Sequence, residues 1–332
     1  MPPPPPKLFF GRDELVEKVV HFVEYFMPMA LIGTGGIGKT SIVLTVLDNP
    51  RIKERFGDNR LFIPCDRLTT SHTHFLQKLS KAIGAGVESP EGLSPLRRPL
   101  SSKEMVIVLD NAESILGVTE TSTQEIYTIV DELSQFSNIC LIITSRISNN
   151  IPLRCEIIEV PTLSMEAGRE TFCRIHRLGE RSDEINDILK ELDFHPLSII
   201  LLASVAQQHR WSIQRLTAEW AKQRTGLLRT RNQGSLGGTV ELSFASPMFQ
   251  ELGPDAREVL EVVAFFPQGV DEDNFYKPFP TISDVLNMLD IFCVLSLTYR
   301  SDGFIMMSAP LRDQLYPKNP MASSLLRAAK KH

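Results

Sequence analysis

The chain has 332 residues, 42% hydrophobic and 23% charged, with 35 basic against 40 acidic side chains and a net charge of −5. At roughly 150 residues per domain this is ordinary globular composition for two domains, with room for a third, and it excludes a disordered chain. The acidic balance argues against nucleic acid as a main partner. No apolar run reaches the roughly 18 residues that span a bilayer; residues 198–206 are the longest candidate and read as a buried helix. No membrane or secretory segment is visible, so a cytoplasmic protein is expected.

Residues 1–8 form a proline-rich leader, Pro2 to Pro6 favouring a short polyproline II segment. Over 13–26 the apolar residues Leu15, Val19, Phe22, Val23 and Phe26 recur at helical spacing, which predicts an amphipathic helix. Short apolar runs at 29–32, 61–64, 105–109, 139–143 and 156–160 then alternate with helical stretches near 39–47, 75–83 and 124–136. Such alternation means βαβ crossovers and a five-stranded parallel sheet covered on both faces, an α/β domain over 9–161. Past Pro161 the strand signal stops. Residues 165–176, 183–192, 196–208 and 213–224 all have helical period and predict an all-helical domain over 162–226. A polar, glycine-bearing linker over 227–238 follows. Helices near 239–250, 254–265 and 283–292 precede two β-rich runs, 294–300 and 304–307, joined by Ser301-Asp302-Gly303. Three helices and a hairpin predict a winged-helix domain over 239–317, with a helical, basic tail over 318–332. The five cysteines (Cys65, Cys140, Cys155, Cys173, Cys293) lack zinc spacing and read as reduced, mostly buried thiols. His72 and His74 stand without a neighbouring acid or cysteine and predict a turn.

The first apolar run leads directly into Gly33-Thr34-Gly35-Gly36-Ile37-Gly38-Lys39-Thr40, followed by an amphipathic helix that begins at Lys39 and carries Ser41 as a further candidate for nucleotide binding. This is the Walker A pattern in its strand–loop–helix context. The glycines let backbone N–H groups turn onto phosphates without Cβ clashes. Lys39 supplies charge to the β- and γ-phosphates, Thr40 a hydroxyl for Mg²⁺, and the helix start the positive end of its dipole. A second anchor is Asp110, the carboxylate that ends the run Met105-Val106-Ile107-Val108-Leu109 at the carboxyl edge of the sheet, where it too would serve Mg²⁺. With one strand and helix between these two motifs, the order resembles the additional-strand class of P-loop ATPases. In that class the run 139–143 inserts between them and carries Thr144-Ser145-Arg146 at its tip.

Taken together, these motifs resemble those of STAND NTPases of the NB-ARC type, the switch modules of NLR-like receptors in innate immunity. Phe10-Gly11-Arg12-Asp13 resembles the leading motif whose backbone borders adenine. Ile143-Thr144-Ser145-Arg146 resembles the sensor whose arginine contacts the γ-phosphate. Phe194-His195-Pro196-Leu197 resembles the helical-domain motif whose proline packs on adenine, and Met307-Ser308-Ala309 stands where the winged-helix domain carries a histidine toward the β-phosphate. The resemblance implies an ATP/ADP switch with Mg²⁺, closed with ADP and open and self-associating with ATP.

The chain departs from that pattern in three places. Asn111 replaces the acid that often follows the Walker B aspartate, leaving Glu113 as the group that could orient water; slow hydrolysis, a weak ATPase at most, is therefore expected. Ser308 and Ala309 replace the histidine and aspartate of the winged-helix motif. The family's effector and repeat-sensor domains are absent, as expected of a truncated product or a fragment. Two rivals are a turning-over ATPase of the AAA+ kind, which needs the missing acid at 111, and a winged-helix transcription regulator, whose recognition helix at 283–292 would hold two acids and no base.

Overall fold

Strands buried on both faces need unbroken apolar runs, and the first half of the chain supplies three. β1 (Met29–Ile32), β2 (Arg60–Pro64), β3 (Met105–Asp110), β4 (Ile139–Ser145) and β5 (Glu156–Glu159) form one sheet in the order β2-β3-β4-β1-β5. Every pairing is parallel, with Met105 opposite Ile139 and Met29 opposite Ile142. The later strand β4 thus lies between the Walker A and Walker B strands, the topology of the additional-strand class.

In this computed structural model the described residues are 2–65, 72–86, 92–116, 121–148, 150–177, 184–227, 240, 243–244, 247–277, 279, 282, 284–301, 303–307 and 309–316. The chain divides into two compact units, Met1–Pro161 and Thr162–His332.

In the first unit, strand alternation sends side chains to two cores. Met105, Ile107 and Leu109 join Leu141 and Ile143 in one; Val106 and Val108 join Cys140 and Ile142 in the other. The second core is closed by α1 (Asp13–Glu24), which buries Val16, Val19, Val20 and Val23, and by α2 (Lys39–Asp48). α3 (Pro50–Phe56) is not evident from periodicity, yet its start is written in the sequence. Pro50 occupies the first helical position and the Asn49 side chain accepts from Arg51 N–H at 2.9 Å. The first core is covered by α4 (His72–Ala82) and, beyond α5 (Arg97–Ser101) and α6 (Glu113–Leu116), by α7 (Thr121–Ser134). His72 and His74 lie in the first turn of α4 rather than in a turn, and His72 Nδ1 is 2.6 Å from Glu125 on α7. A carboxylate distant in sequence thus supplies the partner that local spacing lacked. β5 is an edge strand with only Ile158 buried.

The second unit opens with α8 (Met165–Ile175), α9 (Ile185–Glu191), α10 (Pro196–Gln208) and α11 (Ile213–Leu227). Ser164 caps α8 by accepting from Ala167 N–H at 3.2 Å. α10 is apolar nearly all round and buries Ser198, Ile199 and every residue from Leu201 to Ala206, the expected core helix. Among the described residues no helix is long and apolar enough to cross a membrane. Further on come helices Pro247–Gln250, Ala256–Phe265, Val285–Val294 and Ala309–Leu315, and an antiparallel sheet in which β8 (Phe304–Met306) pairs with both β6 (Val270–Asp271) and β7 (Tyr299–Ser301).

The run 294–300 is not one strand. The preceding helix continues to Val294, Ser296 turns the chain at φ 59°, and the strand starts only at Tyr299. An apolar run without period cannot separate a buried helix end from a strand. Of the expected linker and tail, residues 228–238 and 318–332 lie outside the described residues. All five cysteines are free thiols; burial pushes Cys155 up to about 12 and Cys140 upward as well.

Candidate functional site

The loop that follows β1 begins as an extension of the sheet, Gly33 N–H donating to Ser145 O at 3.3 Å. A Cβ on Gly33 would stand 3.2 Å from Val160 O, a tight contact that glycine avoids. The loop then turns through left-handed positions at Gly36 (φ 81°) and Gly38 (φ 102°), and α2 begins at Lys39. Thr34 is exposed, Gly33, Gly35, Gly36 and Gly38 are half-exposed, and Ile37 is buried in the core below them. Lys39 is buried and reaches back over the loop, Nζ donating to Gly33 O at 2.6 Å and Thr34 O at 3.0 Å. Burial pushes its pKa down to about 8; Glu113 opposes the shift, Arg146 adds to it, and Asp110 opposes it.

Asp110, at the end of β3, meets this loop. The Thr40 hydroxyl donates to Asp110 Oδ1 at 2.8 Å, with Oδ2 at 3.1 Å. Thr144 at the tip of β4 donates to the same Oδ1 at 2.7 Å and accepts from Asn111 N–H at 2.9 Å. The backbone also joins the two strand ends, through Ala112 N–H to Thr144 O at 2.9 Å. Asn111 sits at φ 60°, a left-handed turn that asparagine tolerates better than glutamate would. Two residues on, Glu113 starts α6 and faces Arg146: Nε lies 3.1 Å from Oε1, and Arg146 N–H donates to Oε2 at 3.3 Å.

Lys39, Thr40, Asp110, Glu113 and Arg146 therefore meet at the carboxyl ends of β1, β3 and β4, where open parallel sheets hold ligands. Arg12, only 5% exposed, joins them through the backbone, its Nη2 donating to Ile37 O at 3.2 Å and Pro161 O at 2.7 Å. Phe10 is half-buried and Gly11 exposed at φ 64° just before it. Ser41 is half-exposed inside α2, its carbonyl accepting from Thr45. Pro196 belongs to the second unit, where it opens α10 behind His195, whose Nδ1 caps the helix by accepting from Ser198 N–H at 3.5 Å. Ser308 lies outside the described residues. Sequence reasoning fixed on Arg146 at the strand tip and overlooked Thr144. Its spacing carries no mark of the contact: the hydroxyl meets Asp110 because β3 and β4 run side by side and end together.

The donor set suits a nucleotide with Mg²⁺. The Thr40 hydroxyl and the Asp110 carboxylate are hard oxygens already within 2.8 Å, close enough to share one cation. The glycine loop and the Lys39 ammonium folded over it are of the kind that holds phosphates, through backbone N–H groups and a cation. Among the described residues no three His, Cys, Asp or Glu side chains cluster as a separate metal site.

Residues 5–164 match the family model of Novel STAND NTPase 1, a span just under half of the chain. No curated protein sequence matches. Among solved structures, a STAND protein with a tetratricopeptide repeat sensor from Pyrococcus horikoshii aligns at TM-score 0.61 and 13% identity, over 96% of this chain and 44% of that one. A Walker-type ATPase of Pyrococcus abyssi aligns at TM-score 0.49 and 14% identity, over 95% and 98% of the two chains. Cdc6p from Pyrobaculum aerophilum aligns at TM-score 0.45 and 13% identity, over 100% and 97%. The chain spans less than half the length of the first of these structures. The family match and the strand order together support a nucleotide-binding, STAND-class P-loop NTPase unit in the first half of the chain.

Proposed function

We propose that the chain is an ATP/ADP-binding switch of the NB-ARC and NLR-like kind, with slow hydrolysis. The observation that carries this reading is the meeting of Lys39, Thr40 and Asp110 at one sheet edge, with Arg146 beside them and no acid at position 111. In this reading residues 33–41 hold the phosphates, and Thr40 with Asp110 holds Mg²⁺, which would neutralise charge on the β- and γ-phosphates. Arg146 reads the γ-phosphate, and the segment Phe10-Gly11-Arg12 borders the adenine. Glu113 is the remaining candidate for orienting water. The domain reading that accompanies it is nucleotide-binding, helical and winged-helix over 9–161, 162–226 and 239–317, in a cytoplasmic protein that self-associates with ATP.

Discrimination between two nucleotides needs a contact that only one of them makes. The proposed γ-phosphate contact of Arg146 is one, so Arg146→Ala weakens ATP more than ADP. The test begins with the nucleotide released when the purified protein is denatured, compared with that released by Lys39→Ala. We expect adenine nucleotide from the parent and none from the variant, with steady-state turnover below the roughly 1 s⁻¹ at the low end of typical enzymes. Equal losses of ATP and ADP in Arg146→Ala would make that arginine structural, and brisk turnover would favour an AAA+-like ATPase. The roles that resemblance gives Pro196 and Ser308 are tested by Pro196→Ala and Ser308→His, the latter expected to tighten ADP and leave ATP unchanged.

A further inference from the structure

Arg146 is doubly engaged with Glu113. Its guanidinium Nε lies 3.1 Å from one carboxylate oxygen, and its own backbone N–H donates to the other at 3.3 Å. The two residues sit at the ends of neighbouring strands, Glu113 three residues past Asp110 at the end of β3 and Arg146 one residue past β4. The contact is partly shielded, the side chains being 28% and 16% exposed, so water screens it less than a surface pair. Both groups lie within electrostatic reach of Lys39, whose ammonium feels the carboxylate and the guanidinium with opposite sign. Yet the pair is not saturated: Glu113 Oε1 is buried and accepts no hydrogen bond among the described residues. Such a contact can be exchanged for a better one.

Resting on the nucleotide reading above, we infer that the Glu113–Arg146 ion pair is a latch that sets the site's preference between diphosphate and triphosphate. With no γ-phosphate, Glu113 holds Arg146. A triphosphate engages Arg146 only by drawing it from the carboxylate, whereas a diphosphate leaves the pair intact. The pair therefore opposes one ligand and not the other, which is the condition for shifting a two-state equilibrium. It also couples the two candidate hydrolytic groups: the carboxylate is freed of its cation only when a γ-phosphate has taken it.

The experiment is a double-mutant cycle on the full chain, with Mg²⁺, a fluorescent slowly hydrolysed ATP analogue and fluorescent ADP as probes. Glu113→Gln keeps the shape of the side chain and removes its charge; it should tighten the ATP analogue about three- to tenfold relative to ADP. Glu113→Asp, which withdraws the carboxylate by one methylene, should shift the ratio the same way by less, and it serves if the glutamine variant folds poorly. In an Arg146→Ala background Glu113→Gln should leave the ratio unchanged. An unchanged ratio in both single Glu113 variants overturns the latch. So does a shift that persists without Arg146, since it would then come from general charge repulsion between Glu113 and phosphate. If the parent chain binds neither probe, the nucleotide reading fails first and the latch falls with it. Binding without the ratio change removes the latch alone.

Discussion

Gly38 in the phosphate loop and Gly269 before β6 share a left-handed backbone, at φ 102° and 84°, for opposite reasons. A Cβ on Gly38 would meet nothing within 4 Å. A Cβ on Gly269 would press on Met306 and stand 2.9 Å from Ile305 O, inside the turn onto the small antiparallel sheet. In the first unit the glycine keeps space open where a ligand can approach; in the second it closes the packing of the protein on itself. One residue type thus carries binding in one region and stability in the other, and substitution separates the two.

The largest effect is expected at Gly269→Ala. Left-handed strain of about 1–3 kcal/mol adds to overpacking of similar size, so the second unit should lose about 3 kcal/mol or more. Both tryptophans of the chain, Trp211 and Trp220, lie buried in that unit, so intrinsic fluorescence during urea unfolding reports on it directly. Nucleotide affinity should not change. Gly38→Ala should do the reverse, leaving the tryptophan-reported transition in place while nucleotide affinity falls at least tenfold. A Gly38→Ala variant with parental affinity would break the contrast.

Lys39→Ala sharpens it. A charge-assisted contact to phosphate is worth roughly 1.5–3 kcal/mol, about ten- to hundredfold in affinity. Removing Lys39 also removes a buried ammonium whose pKa is already pushed down to about 8, so the folded chain gains nothing electrostatically from keeping it. Titration with a fluorescent ADP analogue should show the loss while thermal stability without nucleotide stays level or rises. Affinity equal to the parent's would remove the loop from the site.

Thr144→Val comes next. The hydroxyl serves both Asp110 and Asn111 N–H, and valine leaves the half-buried N–H without this acceptor and the carboxylate without this donor, at about 2 kcal/mol. Calorimetry should show the first unit destabilised by that order. The Mg²⁺-dependent part of nucleotide affinity should fall too, because Asp110 loses one of the two hydroxyls that orient it. A stability loss with no change in Mg²⁺ dependence would confine Thr144 to packing.

What the sequence made legible follows the same division. The glycine loop could be read because phosphate binding demands backbone N–H groups and no Cβ, a requirement written in residue type. The place of β4 between the two Walker strands could be read because the order of the motifs resembles the additional-strand class, in which a later strand inserts there. The partners of Arg146 and Asp110 were not legible. Glu113 and Thr144 reach them only because β3 and β4 end side by side, and side-chain direction at a strand end leaves no periodic signal. In the second unit the misread run 294–300 has the same cause. Its apolar residues satisfy either a helix end or a strand, and the turn at Ser296, whose hydroxyl lies 2.8 Å from that of Ser204, decides between them.

The smallest effect concerns pH and belongs to the second unit. His176 is fully buried, its Nε2 2.8 Å from Trp211 O. A carbonyl only accepts, so Nε2 carries the proton of the neutral ring, and the buried Nδ1 has no hydrogen-bond partner among the described residues. His209 stacks on Trp211 with centroids 5.0 Å apart, and its Nε2 is likewise buried without a partner among the described residues. Burial lowers both pKa values; the Trp211 carbonyl partly offsets this at His176, whereas Arg215 adds to it at His209. A histidine held below its unfolded value of about 6.5 binds its proton more readily in the unfolded chain, so stability rises with pH across that range. The contribution is complete above about pH 6.5 and is lost as pH falls from there through the lowered folded values. Tryptophan-detected urea midpoints should therefore be level from pH 8 to 7 and decline towards pH 5. His209→Gln should flatten part of that decline and leave the affinity contrast between Gly38→Ala and Gly269→Ala untouched. A midpoint as steep in the His209→Gln variant as in the parent would show that His209 does not titrate on unfolding.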